Sequence, residues 1–320
     1  MKPAVVIVTP ALRAANNGNW QTAQRWARML RDAYRVHIVD AWTGGDEALM
    51  LALHARRSAD SVDAWRAHHG ARPLALVLTG TDLYRDIETD PRAQRSLALA
   101  DRLIVLQEAA PMRLPAALRA KCVVSFQSAP MRARRVKTAL RLRALMVGHL
   151  REEKSPQTYF EAVRLLARRA DIALDHIGAP LDAALGQAAL ATARDYPNYR
   201  WLGALAHGPT RRRIQDAHVL VHASAMEGGA HVVIEAVRSG TPVIASAIDG
   251  NIGLLGAGYA GYFEWGDAPG LAALLERARD EPAMLAALQR QCDARAALFD
   301  PARERATLLA LAAELLENRP

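Results

Sequence analysis

Glu227 and Glu235 stand eight positions apart in the stretch MEGGAHVVIEAVRSGTPVIAS, residues 226–246, and Gly228 and Gly229 follow the first of them directly. At ~3.6 residues per turn that spacing is a little over two helical turns. One carboxylate then sits just before a helix and the other two turns inside it. Two glycines let a ligand approach the backbone with no Cβ in the way. Free N–H groups at a helix start, here near Ala230 and His231, can hold a diphosphate. Glu235 can accept hydrogen bonds from a diol such as a ribose, while Glu227 can meet the group attached beyond the phosphates. Gly240 is a candidate C′ residue for this helix, and Pro242 prevents its continuation. A plain Gly-rich turn, with Glu227 near an N-cap and Glu235 on a solvated face, would use the same residues. The GTPVIAS that follows and the elements around it favour the ligand site.

Those elements alternate. AVVIVTP precedes the helical WQTAQRWARMLRDA, and RVHIVDAW, ALMLALHA, helical ADSVDAWRAHH, PLALVLTG, DRLIVLQ and AALRAKCVVSF complete a first set. The segment QSAPMRARRVKTALR breaks the pattern with Pro130 and a basic run, which reads as a solvated linker around residues 128–143. A second set follows: LRALMVGHL, helical SPQTYFEAVRLLARRA, IALDHIGAP, helical ALGQAALATARDY, YRWLGAL, AHVLVHAS, helical HVVIEAVRSG and TPVIASA. Short apolar runs alternating with helices predict parallel sheets covered on both faces. The fold class is α/β, two doubly wound Rossmann-like domains over 1–137 and 138–300. A last amphipathic helix over 301–320, with Pro301 near its start, is able to cross back to the first domain. Ligands in such sheets bind outside the carboxyl ends of the strands where strand order reverses. The loops 16–19, 54–58, 79–82, 149–154 and 225–231 are therefore the candidates, with the cleft between the domains as the expected site.

Composition excludes several classes. The 320 residues are 51% hydrophobic, and no stretch approaches the ~20 apolar residues of a membrane span. AVVIV is shorter than the roughly 7–15 residues of a signal-peptide core, so a cytoplasmic protein is expected. Cys122 and Cys292 form no disulfide framework and no zinc spacing, and they read as structural thiols. The net charge of +8 invites a nucleic-acid reading, but the arginines are dispersed and only 5% of residues are aromatic. A protein that handles small anions accounts for the charge equally well. In the first domain HARRS supplies His54, Arg56, Arg57 and Ser58, and TGTD supplies Thr79, Gly80 and Thr81. Arginines and loop N–H groups suit a small phosphorylated anion. Asn17, Gly18 and Asn19 form a further loop after the first strand.

The segment around Glu227 resembles the donor-binding segment of retaining glycosyltransferases of the GT-B fold, which share a Glu-seven-residues-Glu stretch and a following Gly-x-Pro-Val-like strand. The resemblance implies that Glu227 contacts the donor sugar and Glu235 the ribose. LMVGHLREEKSP is similar to a second family pattern, in which Gly148 and Lys154 match while His149 stands where Arg is usual; Arg151 is available as the missing cation. Lys154 would stabilise the leaving diphosphate, and no metal or other cofactor is implied.

ALHARRSAD, LTGTDLYRD, LADRLIVLQ, RAKCVVSFQSAP, GHLREEKSP, YRWLG, MEGGAHVVIEA and GNIGLLG together resemble the selenosugar synthases of selenoneine biosynthesis, from the first strand to about Gly266. That resemblance implies transfer from a UDP-sugar, UDP-GlcNAc or UDP-glucose, to the selenium of selenophosphate. Lys154, Glu227 and Arg151 would be catalytic. His149, Leu202, Gly228, Gly229, Ala230, His231 and Glu235 would bind the donor; Asn17, Gly18, Asn19, His54, Arg56, Arg57, Thr79, Gly80 and Thr81 would lie on the acceptor side. Two other readings share the motifs: an O-glycosyltransferase acting on an alcohol or lipid, and a non-catalytic sugar-nucleotide sensor. No nucleic acid, membrane or defined oligomer is implied.

Overall fold

Two all-parallel six-stranded sheets organise the chain in a computed structural model that describes residues 2–12 and 18–317. The first contains β1 (Ala4–Val8), β2 (Arg35–Val39), β3 (Leu49–Leu53), β4 (Leu74–Leu78), β5 (Arg102–Val105) and β6 (Cys122–Val124) in the order β2-β1-β3-β4-β5-β6. The second contains β7 (Leu142–Val147), β8 (Ile172–Ile177), β9 (Tyr199–Trp201), β10 (Val219–His222), β11 (Val243–Ser246) and β12 (Tyr262–Phe263) in the order β12-β11-β10-β7-β8-β9. Every residue of β1, β3 and β4 is buried, as parallel strands covered on both faces require. Edge strand β2 is half exposed and reads accordingly as RVHIV. The α/β class expected from the alternating runs is the one observed. The two-residue β12 carries no such run and was not foreseen.

The chain divides into two compact units, Met1–Gln127 with Pro301–Pro320, and Ser128–Asp300. In the first unit the helix Pro301–Glu317 packs Leu308, Leu311, Ala312 and Leu315 into the cluster built from Val5, Ile7, Trp26, Leu30 and Leu49. Its one buried acid, Glu304, is 2% exposed. It accepts two bonds from Arg25 Nε, at 3.1 and 3.0 Å, and one from the Trp26 indole at 2.7 Å. Both donors lie on the helix Gly18–Leu30, so one carboxylate clamps the two helices together.

In the second unit the basic segment after Gln127 is a packed strap rather than a solvated linker, and it belongs with the sheet that follows it, ten residues earlier than the sequence boundary at 137/138. Arg132 N donates to Arg238 O at 2.9 Å, Arg238 Nε to Ala129 O at 2.9 Å, and Gln215 Nε2 to Ala133 O at 2.5 Å. The arginines of the run read as solvated, but its backbone carbonyls satisfy buried donors of the neighbouring helices. The helix His231–Val237 ends as its sequence suggests: Gly240 has φ 68°, its N–H reaches Val237 O at 3.1 Å and Thr241 N reaches Ala236 O at 2.9 Å, a Schellman closure. Burial pushes the Cys122 and Cys292 thiols up to about 11, which suits structural rather than reactive groups.

The Glu304 clamp gives a stability prediction. Removing one partner of a buried pair costs about 3–5 kcal/mol. Glu304→Ala should therefore lower the urea midpoint sharply, while Glu314→Ala, in the half-exposed pair with Arg102 on the same helix, should change it little. Equal effects of the two substitutions would show that the clamp is not what holds this helix.

Candidate active site

In the second sheet, strand order runs outward from β7 through β8 and β9 on one side and through β10, β11 and β12 on the other. The reversal lies between β7 and β10, which pair directly, Val219 with Ala144 through Val221 with Met146. The loops leaving these two strands carry Gly148–Lys154 chemistry on one side and Glu227 on the other. They meet: Lys154 Nζ forms an ion pair with Glu227 Oε1, with side chains 17% and 14% exposed. Lys154 ends a tight turn, Glu152–Lys154, and its side-chain Cγ and Cδ lie 3.5 Å from where a Cβ on Gly148 would stand. Ala225 N donates to Glu153 O at 2.9 Å and fastens the two loops through the backbone. Burial alone would raise the Glu227 pKa, but the Lys154 ammonium and the nearby His222 hold it far below the usual carboxylate range.

Ser155, directly after Lys154, has φ 46°, and the Trp265 indole donates to its hydroxyl at 2.9 Å. Apart from glycines, the only described residues at positive φ are Ser155 and His54. Backbone held in the left-handed region by a non-glycine residue costs of order 1–3 kcal/mol and persists where the surroundings over-determine it. Gly250, in the helix Asp249–Leu255, is the other close contact: a Cβ there would lie 2.2 Å from Glu227 O and 2.8 Å from Glu227 Cβ.

Glu235 is 5% exposed and draws three cationic or titratable groups. His207 Nε2 lies 2.6 Å from its Oε1, Arg211 Nη1 3.3 Å and His231 Nδ1 3.6 Å. Burial would raise the Glu235 pKa; the His207 hydrogen bond and the His231 and Arg211 charges lower it overall. Arg211 is itself 3% exposed, donates to Pro130 O at 3.2 Å, and leaves its Nε buried without a partner among the described residues. His207 begins the helix His207–Asp216 and Arg211 lies about one turn in; the helix follows Leu202 and the loop after β9. Leu202 is half-buried and its N–H bonds His176 O at 2.8 Å.

The other donor-side residues divide. Gly228 and Ala230 are buried, and Gly229 and His231 half-buried; His231 Nε2 lies 3.1 Å from Ser128 O. His149 accepts Ala179 N at 3.0 Å through Nδ1, and burial together with the Arg151 and Lys154 charges lowers its pKa. Arg151 is half exposed, 3.9 Å from Glu153. His222, Arg211 and His207 were not singled out from sequence. A histidine inside an apolar strand, or basic residues on a polar helix, carries no spacing signal. In the second unit the structure thus joins Lys154 to Glu227 and Glu235 to His231.

In the first sheet, order reverses between β1 and β3. His54 follows β3 with φ 75° and is 2% exposed; its Nε2 lies 3.1 Å from Thr81 Oγ1. Burial lowers its pKa against the opposing pull of Asp82. Asp82 is fully buried and accepts Thr79 N at 2.9 Å, Gly80 N at 2.8 Å and Ala55 N at 3.0 Å. The amide nest that sequence offered to an external anion is therefore filled by this chain's own carboxylate. Arg56 is likewise committed, its Nε 2.9 Å from Asp86 Oδ2. Arg57 is exposed. Gly18 and Asn19 begin the first helix instead of forming a loop, and Asn17 lies outside the described residues. Among the described residues no group of three or more His, Cys, Asp or Glu could hold a metal ion, and no helix is long and apolar enough to cross a membrane.

Residues 132–296, just over half of the chain and including Gly148, Lys154, Glu227 and Glu235, match the family described as glycosyl transferases group 1. The chain belongs to that family and is a glycosyltransferase. No curated protein matches the sequence. Among solved structures it is similar to sucrose-phosphate synthase from Thermosynechococcus elongatus, at 17% identity and TM-score 0.79, covering 99% of this chain and 100% of that one. It is also similar to HepE of Anabaena in complex with UDP and glucose, at 14% identity and TM-score 0.76, covering 98% and 100%. A TarM variant of S. aureus, in complex with UDP among other ligands, is similar at 12% identity and TM-score 0.66, covering 84% of this chain and 55% of TarM, so the present chain spans about half of TarM's length. These likenesses identify the GT-B fold.

Gly250 provides a test of the Glu227 geometry. On helix propensity alone Gly250→Ala would stabilise by up to ~1 kcal/mol. The close approach to Glu227 predicts the opposite sign, a loss of about 1–3 kcal/mol from overpacking. Urea unfolding reads the sign directly, and a stabilised variant would mean the helix does not press on Glu227.

Proposed function

We propose that the protein transfers a hexosyl group from a UDP-sugar, UDP-GlcNAc or UDP-glucose, to the selenium of selenophosphate. The observation that carries the donor half is the Lys154–Glu227 pair at the strand-order reversal, with Glu235 about one turn into the following helix. Solved structures of similar fold that hold UDP support it. In this reading Glu235 accepts the ribose hydroxyls, displacing the exposed His207 imidazole. The backbone of Gly228, Gly229 and Ala230 approaches the diphosphate, and Glu227 faces the hexose. Lys154 and Arg151 meet the negative charge that grows on the diphosphate as it departs.

The acceptor half rests on the resemblance of HARRSAD and TGTDLY to selenosugar synthases. With the Thr79 and Gly80 amides held by Asp82, and Arg56 by Asp86, the groups left for the phosphoryl oxygens are Arg57 and the Thr81 hydroxyl. An arginine fork grips phosphate bidentately. Selenium donates an electron pair to the anomeric carbon as the bond from that carbon to the diphosphate oxygen breaks, and UDP leaves with the bonding electrons. Water then cleaves the phosphorus–selenium bond, releasing phosphate and the selenosugar. A selenium nucleophile already anionic has less need of a general base than an alcohol. No metal takes part in this proposal.

UDP release measured with and without selenophosphate, and mass spectrometry of the product, test the reading. The expected result is selenophosphate-dependent UDP release and a selenium-bearing hexose. Glycosylation of an alcohol without any selenosugar would sink the selenophosphate assignment and leave an O-glycosyltransferase; UDP-sugar binding with no turnover on any acceptor would leave a sensor.

The ribose assignment has its own test. A hydrogen bond to a charged group is worth ~1.5–3 kcal/mol, so Glu235→Ala should weaken UDP binding at least about tenfold in calorimetry without acceptor. Unchanged affinity in a folded variant would remove Glu235 from the ribose.

A further inference from the structure

We propose that His222 is a positioning residue for the transfer, the donor that holds the Glu227 carboxylate when Lys154 turns from it toward the donor's diphosphate. The inference rests on the donor reading above. His222 ends β10 at the strand-order reversal and is 2% exposed. Its Nε2 lies 3.4 Å from Glu227 Oε1 and 3.3 Å from Ser224 Oγ, while its Nδ1 is buried with no partner among the described residues. That asymmetry selects the tautomer. A proton on Nε2 faces two oxygens, one of them a carboxylate, and leaves a bare lone pair at Nδ1. A proton on Nδ1 alone would bury an unpaired N–H and set the Nε2 lone pair against the carboxylate.

A buried strand position otherwise calls for an apolar side chain, as Val219, Leu220 and Val221 show. The ring is held where it can serve. The strand end is tied by Ser246 Oγ to His222 O at 3.4 Å and to Ser224 O at 2.6 Å, and Asn251 Nδ2 donates to Ser246 O at 2.9 Å. The Lys154 ammonium is engaged by Glu227. Drawing it away would strand a buried carboxylate unless another donor took over. His222 is already within reach of that oxygen, and a shift of a few tenths of an ångström would bring its contact into the ordinary hydrogen-bond range.

His222→Leu removes the donor, and His222→Gln keeps an N–H near the same place. In UDP-release kinetics His222→Leu should lower kcat by about 10–100-fold, the range a hydrogen bond to a charged group supports. KM for the UDP-hexose should stay within a few-fold, and His222→Gln should recover most of the rate. Wild-type kcat in the leucine variant, or equal loss in both variants, would overturn the proposal, the second outcome marking a purely structural ring. A readout independent of turnover follows Glu227 by carboxyl 13C NMR titration, with Glu227→Gln as the assignment. Among the described residues the charged or titratable groups that face Glu227 are Lys154 from the turn after β7 and His222 from β10; the helix Asp249–Leu255 brings the Gly250 backbone and begins with Asp249. Losing one donor should move the Glu227 midpoint up in His222→Leu and back down in His222→Gln. An unmoved midpoint overturns the contact. If the wild type releases UDP from no hexose donor, the donor reading fails, and the titration still decides the role of His222.

Discussion

A carboxylate taken out of water must be compensated, and the second unit is arranged around doing so at Glu227. The effective penalty for burying an ion is several kcal/mol, and attraction offsets it only when geometry is good and the remaining valences are met. Lys154 and His222 meet them from two different strand ends. The compensation therefore also fixes where the loops after β7 and β10 lie, and the Ala225–Glu153 backbone bond and the Gly250 contact leave those loops little freedom. The same constraint accounts for the left-handed Ser155. The chain has to turn straight from the Lys154 position into the helix that begins at Pro156, and Trp265 holds the strained residue through its hydroxyl.

The first unit solves a related problem in reverse. Its loop amides after β3 and β4 converge as an anion nest, and the anion is the fully buried Asp82. An internal carboxylate pre-organises the turn and keeps the amide donors satisfied, and it also withdraws them from any substrate. What it leaves at the loop is a left-handed His54, a Thr81 hydroxyl and the Arg57 guanidinium. Recognition of an acceptor there has to come from side chains, which makes Arg57 more informative than the glycine of the TGT turn.

Much of this was legible in the sequence, for reasons that can be stated residue by residue. Runs such as LALVL declare buried parallel strands because both faces are covered. Glu227 falls before a helix and Glu235 within it, but the helix starts only at His231, so Glu235 lies about one turn in and not the two turns the spacing suggests, while Gly240 closes that helix as its type suggests. Sheet order is not written locally, so the adjacency of β7 and β10 that joins Lys154 to Glu227 could be reached only through family resemblance. His222 in VLVH looks like any buried strand residue. His207 and Arg211 fall in a polar helix, where basic residues are ordinarily solvated. The strap after Gln127 misled for the same reason: its side chains advertise solvent while its carbonyls do the packing.

Where the resembled pattern has an arginine, this chain has the imidazole of His149, whose Nδ1 is spent accepting Ala179 N. Burial and the neighbouring Arg151 and Lys154 charges lower its pKa, so at neutral pH the ring is uncharged and offers only an Nε2–H. A neutral donor cannot balance a departing diphosphate. On the proposed reading that charge falls to Arg151, half exposed and held only loosely near Glu153, and to Lys154. Lysine suits the second role because its compact ammonium on a flexible stem can exchange one oxygen partner for another without rebuilding a fork of hydrogen bonds. A site whose principal cation must move needs its abandoned carboxylate to be met by something that stays. In this chain the residue in that place is a histidine inside a strand.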